Sequence, residues 1–153
     1  MFHALTGCDT VSSFARHGKK TAWAAWTVLP ELTEALLLLS SAPRDIPHDA
    51  MRIIERFVIL LYDRTSKCTD IDKARRKLFA RKNNVELIPP TKAALEEHVK
   101  RAVYQGGHVW GQILLPAPEL PPPTNWGWSR TGVHTRTVHT LLGQATRGSS
   151  QLH

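Results

Sequence analysis

Residues 47–62 read PHDAMRIIERFVILLY. Ala50, Ile54, Phe57, Val58 and Leu61 recur at three- and four-residue steps, which lays one apolar stripe along a helix. Arg52, Glu55 and Arg56 fall off that stripe. This is the clearest helix in the chain, and its reading sets the fold class.

The pattern extends in both directions. After a polar connection at 63–69, Thr69 or Asp70 can cap a helix that runs to about Lys82. Its apolar positions are Ile71, Ala74 and Leu78, with Phe79 beside them, and Lys73, Arg76, Lys77 and Arg81 form a basic face. Asn83-Asn84 breaks it. Val85 to Ile88 is expected to be extended, because Pro89 and Pro90 push their neighbours out of the helical region. Thr91 caps a further helix over 92–104, with Leu95, Val99, Ala102 and Val103 on one face, and Gly106-Gly107 is expected to interrupt it. His108 to Leu114 fits either helix or extended chain.

Toward the N-terminus, Pro30 to Leu39 is a leucine-rich helix with Glu31 and Glu34 near its positive end. Lys19 to Val28 is another, carrying Ala22, Trp23, Ala25 and Trp26. From Pro116 the composition turns to proline, which favours extended polyproline-type backbone. No acidic residue follows Glu119. The sequence therefore predicts an all-α protein. An irregular array of five or six short helices over 1–110 is followed by a proline- and tryptophan-rich extended segment at 111–128 and a disordered basic tail at 129–153.

The 153 residues suit one domain, and a net charge of +7 with a pI near 9.9 favours nucleic acid or another anionic partner. Cys8 and Cys68 are too few for a disulfide framework, and no secretory signal opens the chain. Both points indicate an intracellular setting, with the nucleus an option for a nucleic-acid partner. The densest apolar runs, 35–39 and 57–62, fall far short of the ~20 residues that cross a bilayer. No membrane partner is expected.

Specific chemistries can be weighed in turn. Cys8 with His3 or His17 matches no nucleophile spacing. The cysteines stand sixty residues apart and the histidines are scattered, so no structural zinc is expected. Gly18-Lys19-Lys20-Thr21 looks like the end of a phosphate loop, but Ser13 occupies the position of that loop's first glycine. A glycine-containing turn that opens a helix does expose amides on which a phosphate can sit. Arg16, His17, Gly18, Lys19 and Lys20 make such a turn, and they would position a backbone without reading its sequence. A solvated helix start is the bland alternative.

The stretch LTGCDTVSSFARHGKKTAWAAW at 5–26 resembles the flap endonuclease family of PIN-like nucleases, over roughly residues 4–40. The resemblance implies a helix–hairpin–helix element that holds duplex backbone. Gly7-Cys8-Asp9-Thr10 would form its acidic corner, with Asp9 a vestigial metal ligand, and Arg16-His17-Gly18 its turn. Thr10 stands where that family has an aromatic residue, and Arg16 where it has the first turn glycine. More of the chain is similar to a group of uncharacterised multicopy animal proteins apparently associated with mobile elements. HALTGCDTVSSF, KARRKLFARKNNVELIPPTKAALEEHVKRAVYQGGHVWGQ and PAPELPPPTNWGW carry that likeness. Those proteins are longer, with a nuclease-like region upstream, so this resemblance implies an N-terminally truncated fragment; the tail after Trp128 no longer resembles the group, which would fit a shifted reading frame.

Two-metal cleavage requires several converging carboxylates. No acidic residue precedes Asp9, and Glu31, Glu55 and Asp72 are expected to face solvent from amphipathic helices. No cofactor is expected for the chain alone; Mg²⁺ or Mn²⁺ would enter only with the missing catalytic half. Three readings follow, in this order. The first is a non-catalytic nuclease-like remnant that binds nucleic-acid backbone through Arg16–Lys20 and the Lys73, Arg76, Lys77, Arg81 face. The second is a helical protein-interaction module that docks through its basic face and proline-rich segment. The third is part of a metal-dependent nuclease completed by another chain.

Overall fold

The computed structural model describes residues 1–131 and 134–137. Its helices are α1 (Phe2–Leu5), α2 (Lys19–Trp26), α3 (Leu32–Ser40), α4 (His48–Tyr62), α5 (Ile71–Lys82) and α6 (Lys92–Val103). The fold is all-α. The helix at 48–62 is its spine: α2, α3, α5 and α6 all pack on α4. The stripe residues Ile54, Phe57 and Val58 are fully buried, but so is Ile59, which lies off the stripe, and Leu60 beside it is buried as well. Neighbours on several sides wrap the second half of α4.

Glu55 corrects the sequence reading. It is buried at 3% exposure rather than solvent-facing. Its Oε1 accepts the Ile71 N–H at 2.8 Å, and its Oε2 lies 3.7 Å from Lys92 Nζ. The carboxylate thus satisfies the first amide of α5, where the helix dipole favours negative charge. Asp72 repeats the device, accepting the Lys92 N–H that opens α6 at 3.1 Å. The carboxylates off the apolar stripe tie together two helix starts.

Local signals hold at the caps. Asp70 Oδ1 accepts Lys73 N–H at 2.6 Å and Thr91 Oγ1 accepts Ala94 N–H at 3.2 Å. Asn83 ends α5 in the left-handed region, with φ +46°. Residues Val85–Leu87 form a 3₁₀ turn rather than an extended piece. Asn84 Oδ1 captures Glu86 N–H at 2.9 Å and curls the chain; only Ile88, directly before Pro89, is extended.

Gly106-Gly107 does not interrupt the last helix. The chain continues from α6 as a π-helical turn over Tyr104–Val109. The glycines let this turn cross its neighbours closely. A Cβ on Gly107 would stand 2.9 Å from the Leu39 carbonyl oxygen, and one on Gly106 3.1 Å from Met1 Sδ. Beyond it, Pro123–Trp126 form a 3₁₀ turn that brings the buried Trp126 edge-on to His108 at 4.6 Å. Of the tail read as disordered, residues 129–131 and 134–137 belong to an antiparallel pair, β1 (Trp128–Thr131) and β2 (His134–Thr137). Residues 132, 133 and 138–153 lie outside the described residues.

Candidate nucleic-acid interface

The segment after α1 turns sharply at Gly7, whose φ of +108° suits glycine and whose Cβ would strike Ser13 Cβ at 2.6 Å. Cys8 N–H donates to the Val11 carbonyl at 2.8 Å and closes a small loop with Asp9 exposed at its tip. Among the described residues, no group of three or more His, Cys, Asp or Glu side chains is arranged to hold a metal ion. Asp9 alone does not make the multi-carboxylate site that two-metal cleavage uses.

The next turn contains a reversal. Arg16, not Gly18, takes the left-handed conformation, with φ +62°. Gly18 has φ −88° and open space where a Cβ would stand. The turn is closed by the His17 N–H on the Phe14 carbonyl at 3.1 Å and anchored by the buried Phe14 ring. Arg16 Nη2 pairs with Glu86 Oε2 at 3.0 Å, with both groups in solvent.

Lys19 is held inside the molecule's own hydrogen bonding. Its ammonium donates to the His3 carbonyl at 3.0 Å, the Thr6 hydroxyl at 2.6 Å and the Gly7 carbonyl at 2.6 Å. It therefore caps the negative end of α1, a helix too short to sustain itself. Desolvation pulls the Lys19 pKa below its usual value, partly offset by Cys8 nearby. Lys20, one residue on, is exposed and has no ionic partner among the described residues.

Tyr62, the last residue of α4, places this turn against α5. His17 stands edge-on to the Tyr62 ring at 4.3 Å. Burial raises the Tyr62 phenol to about 12, opposed by the Ala15 backbone and by Arg75 on α5. Burial also lowers the His17 pKa, and Lys82 at the end of α5 lowers it further. The turn and the C-terminal end of α5 thus share one edge of the molecule.

Along α5, Lys73, Arg76 and Lys77 are exposed and have no ionic partner among the described residues. Their spacing of three and four residues puts them on one face. Arg81 is engaged: its Nη2 meets Asp63 Oδ2 at 2.8 Å. Burial raises the Asp63 carboxyl, but hydrogen bonds from Thr65 and the Arg81 guanidinium outweigh that and hold it below the usual carboxylate range. Arg75, off the basic face, donates to the Pro89 carbonyl. Lys82 completes the exposed edge, and the sequence reading did not single it out. Its signal was its place in the last turn of α5, where the dipole favours a cation.

Away from this face, an open groove of about 1590 Å³ lies between the α3–α4 connection, the π turn and the proline-rich segment. Its rim mixes Arg44 and Lys100 with Asp45, Glu96 and Glu119, so it carries no consistent sign of charge. No helix among the described residues is long and apolar enough to cross a membrane. No known protein family, curated protein or solved structure matches the chain.

Proposed function

We propose that this chain binds nucleic-acid backbone, without cleaving it, through the exposed basic face of α5, with Lys20 of the turn at 16–20 as a further contact. The observation that carries this reading is the row Lys73, Arg76 and Lys77: three exposed cations on one helical face, none neutralised by a carboxylate among the described residues. Such a row meets phosphates as point charges and forks, and it has no geometry for reading base edges. The net charge of +7 supports the same partner.

Binding of oligonucleotides across a salt series tests it. Affinity is expected to fall as salt rises, and Lys73→Ala with Lys77→Ala should reduce the slope of log K against log salt by roughly 1.4 to 1.8. An affinity indifferent to salt defeats the reading.

One observation favours a second reading, a protein-interaction module. Ile113, Leu114 and Leu115 at the start of the proline-rich segment are 73%, 92% and 54% exposed. Apolar side chains left in water beside an extended segment are what a protein partner would cover. Replacing all three by serine should improve solubility without touching the salt slope.

A further inference from the structure

The basic face of α5 is bordered by an aromatic ring. Phe79, beside Arg76 at the edge of that face, is 42% exposed and stacks on no other ring among the described residues. Arg76 lies three residues before it and Lys82 three after, so both are its surface neighbours on the helix. Asn83 turns left-handed one helical turn later, at φ +46°, and α5 ends there. Lys82 in turn reaches the electrostatic surroundings of His17. The ring therefore sits between Arg76 and Lys82 along the helix.

An exposed ring with a cation on each side has a definite complement. Phosphates take the cations, and an unpaired base takes the ring face. Stacking of this kind tolerates any base, because every base presents a π-face. A duplex cannot use it, since its base faces are already occupied by neighbouring base pairs. Lysines and arginines alone would leave strandedness undetermined; the ring decides it. Resting on the backbone-binding reading above, we infer that the surface formed by Arg76, Phe79 and Lys82 selects single-stranded over duplex nucleic acid, by stacking a base on Phe79 while the flanking cations hold the adjoining phosphates.

The test measures binding of a labelled oligothymidylate and of a blunt duplex of the same length at low and moderate salt, for the natural chain and for Phe79→Ala, Phe79→Leu and Phe79→Tyr. The natural chain should bind the single strand more tightly. Phe79→Ala and Phe79→Leu should weaken single-strand binding by about tenfold, leave duplex binding unchanged and leave the salt slope unchanged, because no phosphate contact is lost. Phe79→Tyr should bind as the natural chain does. The leucine variant retains an apolar side chain, so it separates a lost π-face from a disturbed helix, and circular dichroism of each variant checks the fold. Equal weakening toward both nucleic acids, no weakening in the leucine variant, or preference for duplex overturns the inference and leaves backbone binding standing. Absence of salt-dependent binding to either ligand overturns both.

Discussion

Two basic regions of similar sequence character behave differently in the fold. The turn at 16–20 carries Arg16, His17, Lys19 and Lys20; the face of α5 carries Lys73, Arg76, Lys77 and Arg81. In the turn most of the polar capacity is directed inward or sideways. Lys19 is bound to three oxygens at the end of α1, Arg16 is paired with Glu86, and His17 lies against Tyr62. Of these four cations on α5, only Arg81 has an ionic partner among the described residues, and Lys73, Arg76 and Lys77 are exposed. The number of cations in a segment is therefore a poor measure of the charge it offers a ligand. What matters is whether acceptors of the same chain lie within reach. A short helix with unsatisfied carbonyls lies beside the turn, and it takes the lysine that the sequence assigns to phosphate.

This contrast can be broken at the anchor of the turn. His98 on α6 is buried, with Nε2 2.7 Å from the Leu5 carbonyl oxygen, Nδ1 3.4 Å from Ser12 Oγ, and its ring against Phe14. Burial lowers its pKa to about 4; the Leu5 carbonyl opposes this and Arg101 adds to it. The unfolded chain therefore binds a proton that the folded chain refuses. The stability that His98 confers is complete above about pH 6.5 and is lost as pH falls toward and through 4, at a cost of about 2 kcal/mol by pH 5. Denaturant melts at pH 8 and pH 5 should differ by that amount, and His98→Gln should flatten the difference. A pH-independent melt between these values would show that His98 does not hold the N-terminal segment.

Lys19→Ala sharpens the contrast with a smaller effect. It should lower stability by about 1 kcal/mol, the worth of a partly solvated charged hydrogen-bonding group, and leave the salt slope of nucleic-acid binding unchanged. Lys20→Ala should do the reverse, with an unchanged melt and a slope smaller by roughly 0.7 to 0.9. If Lys19→Ala also lowers the slope, its ammonium leaves α1 to meet phosphate.

The smallest effect is expected at Arg16. A non-glycine residue at φ +62° carries roughly 1 to 2 kcal/mol of strain, which Arg16→Gly relieves. The same change adds chain entropy to the unfolded state and removes an exposed ion pair, so the melt should shift by less than about 1 kcal/mol. A larger loss would mean that the Glu86 contact, not the Phe14 anchor, sets the turn.

Much of the local architecture was legible in the chain. The stripe Ala50, Ile54, Phe57, Val58, Leu61 gives α4, and the Asp70 and Thr91 signals give the starts of α5 and α6 within a residue. These features depend on side chains three or four residues apart, and a helix brings such side chains together whatever surrounds it. The basic face of α5 was legible for the same reason.

The remaining features rest on partners distant in sequence. Glu55 is buried because the amide of Ile71 and the ammonium of Lys92 converge on it. The Gly106-Gly107 pair continues a helix because the backbone of Leu39 needs that space. Lys19 is occupied because the end of α1 lies beside it, and Phe79 is left partly bare where α5 ends. Periodicity reports which face of a helix is apolar. It does not report which long-range acceptor claims a charge, because that is settled by helix packing and by the high cost of leaving a buried polar group unpaired.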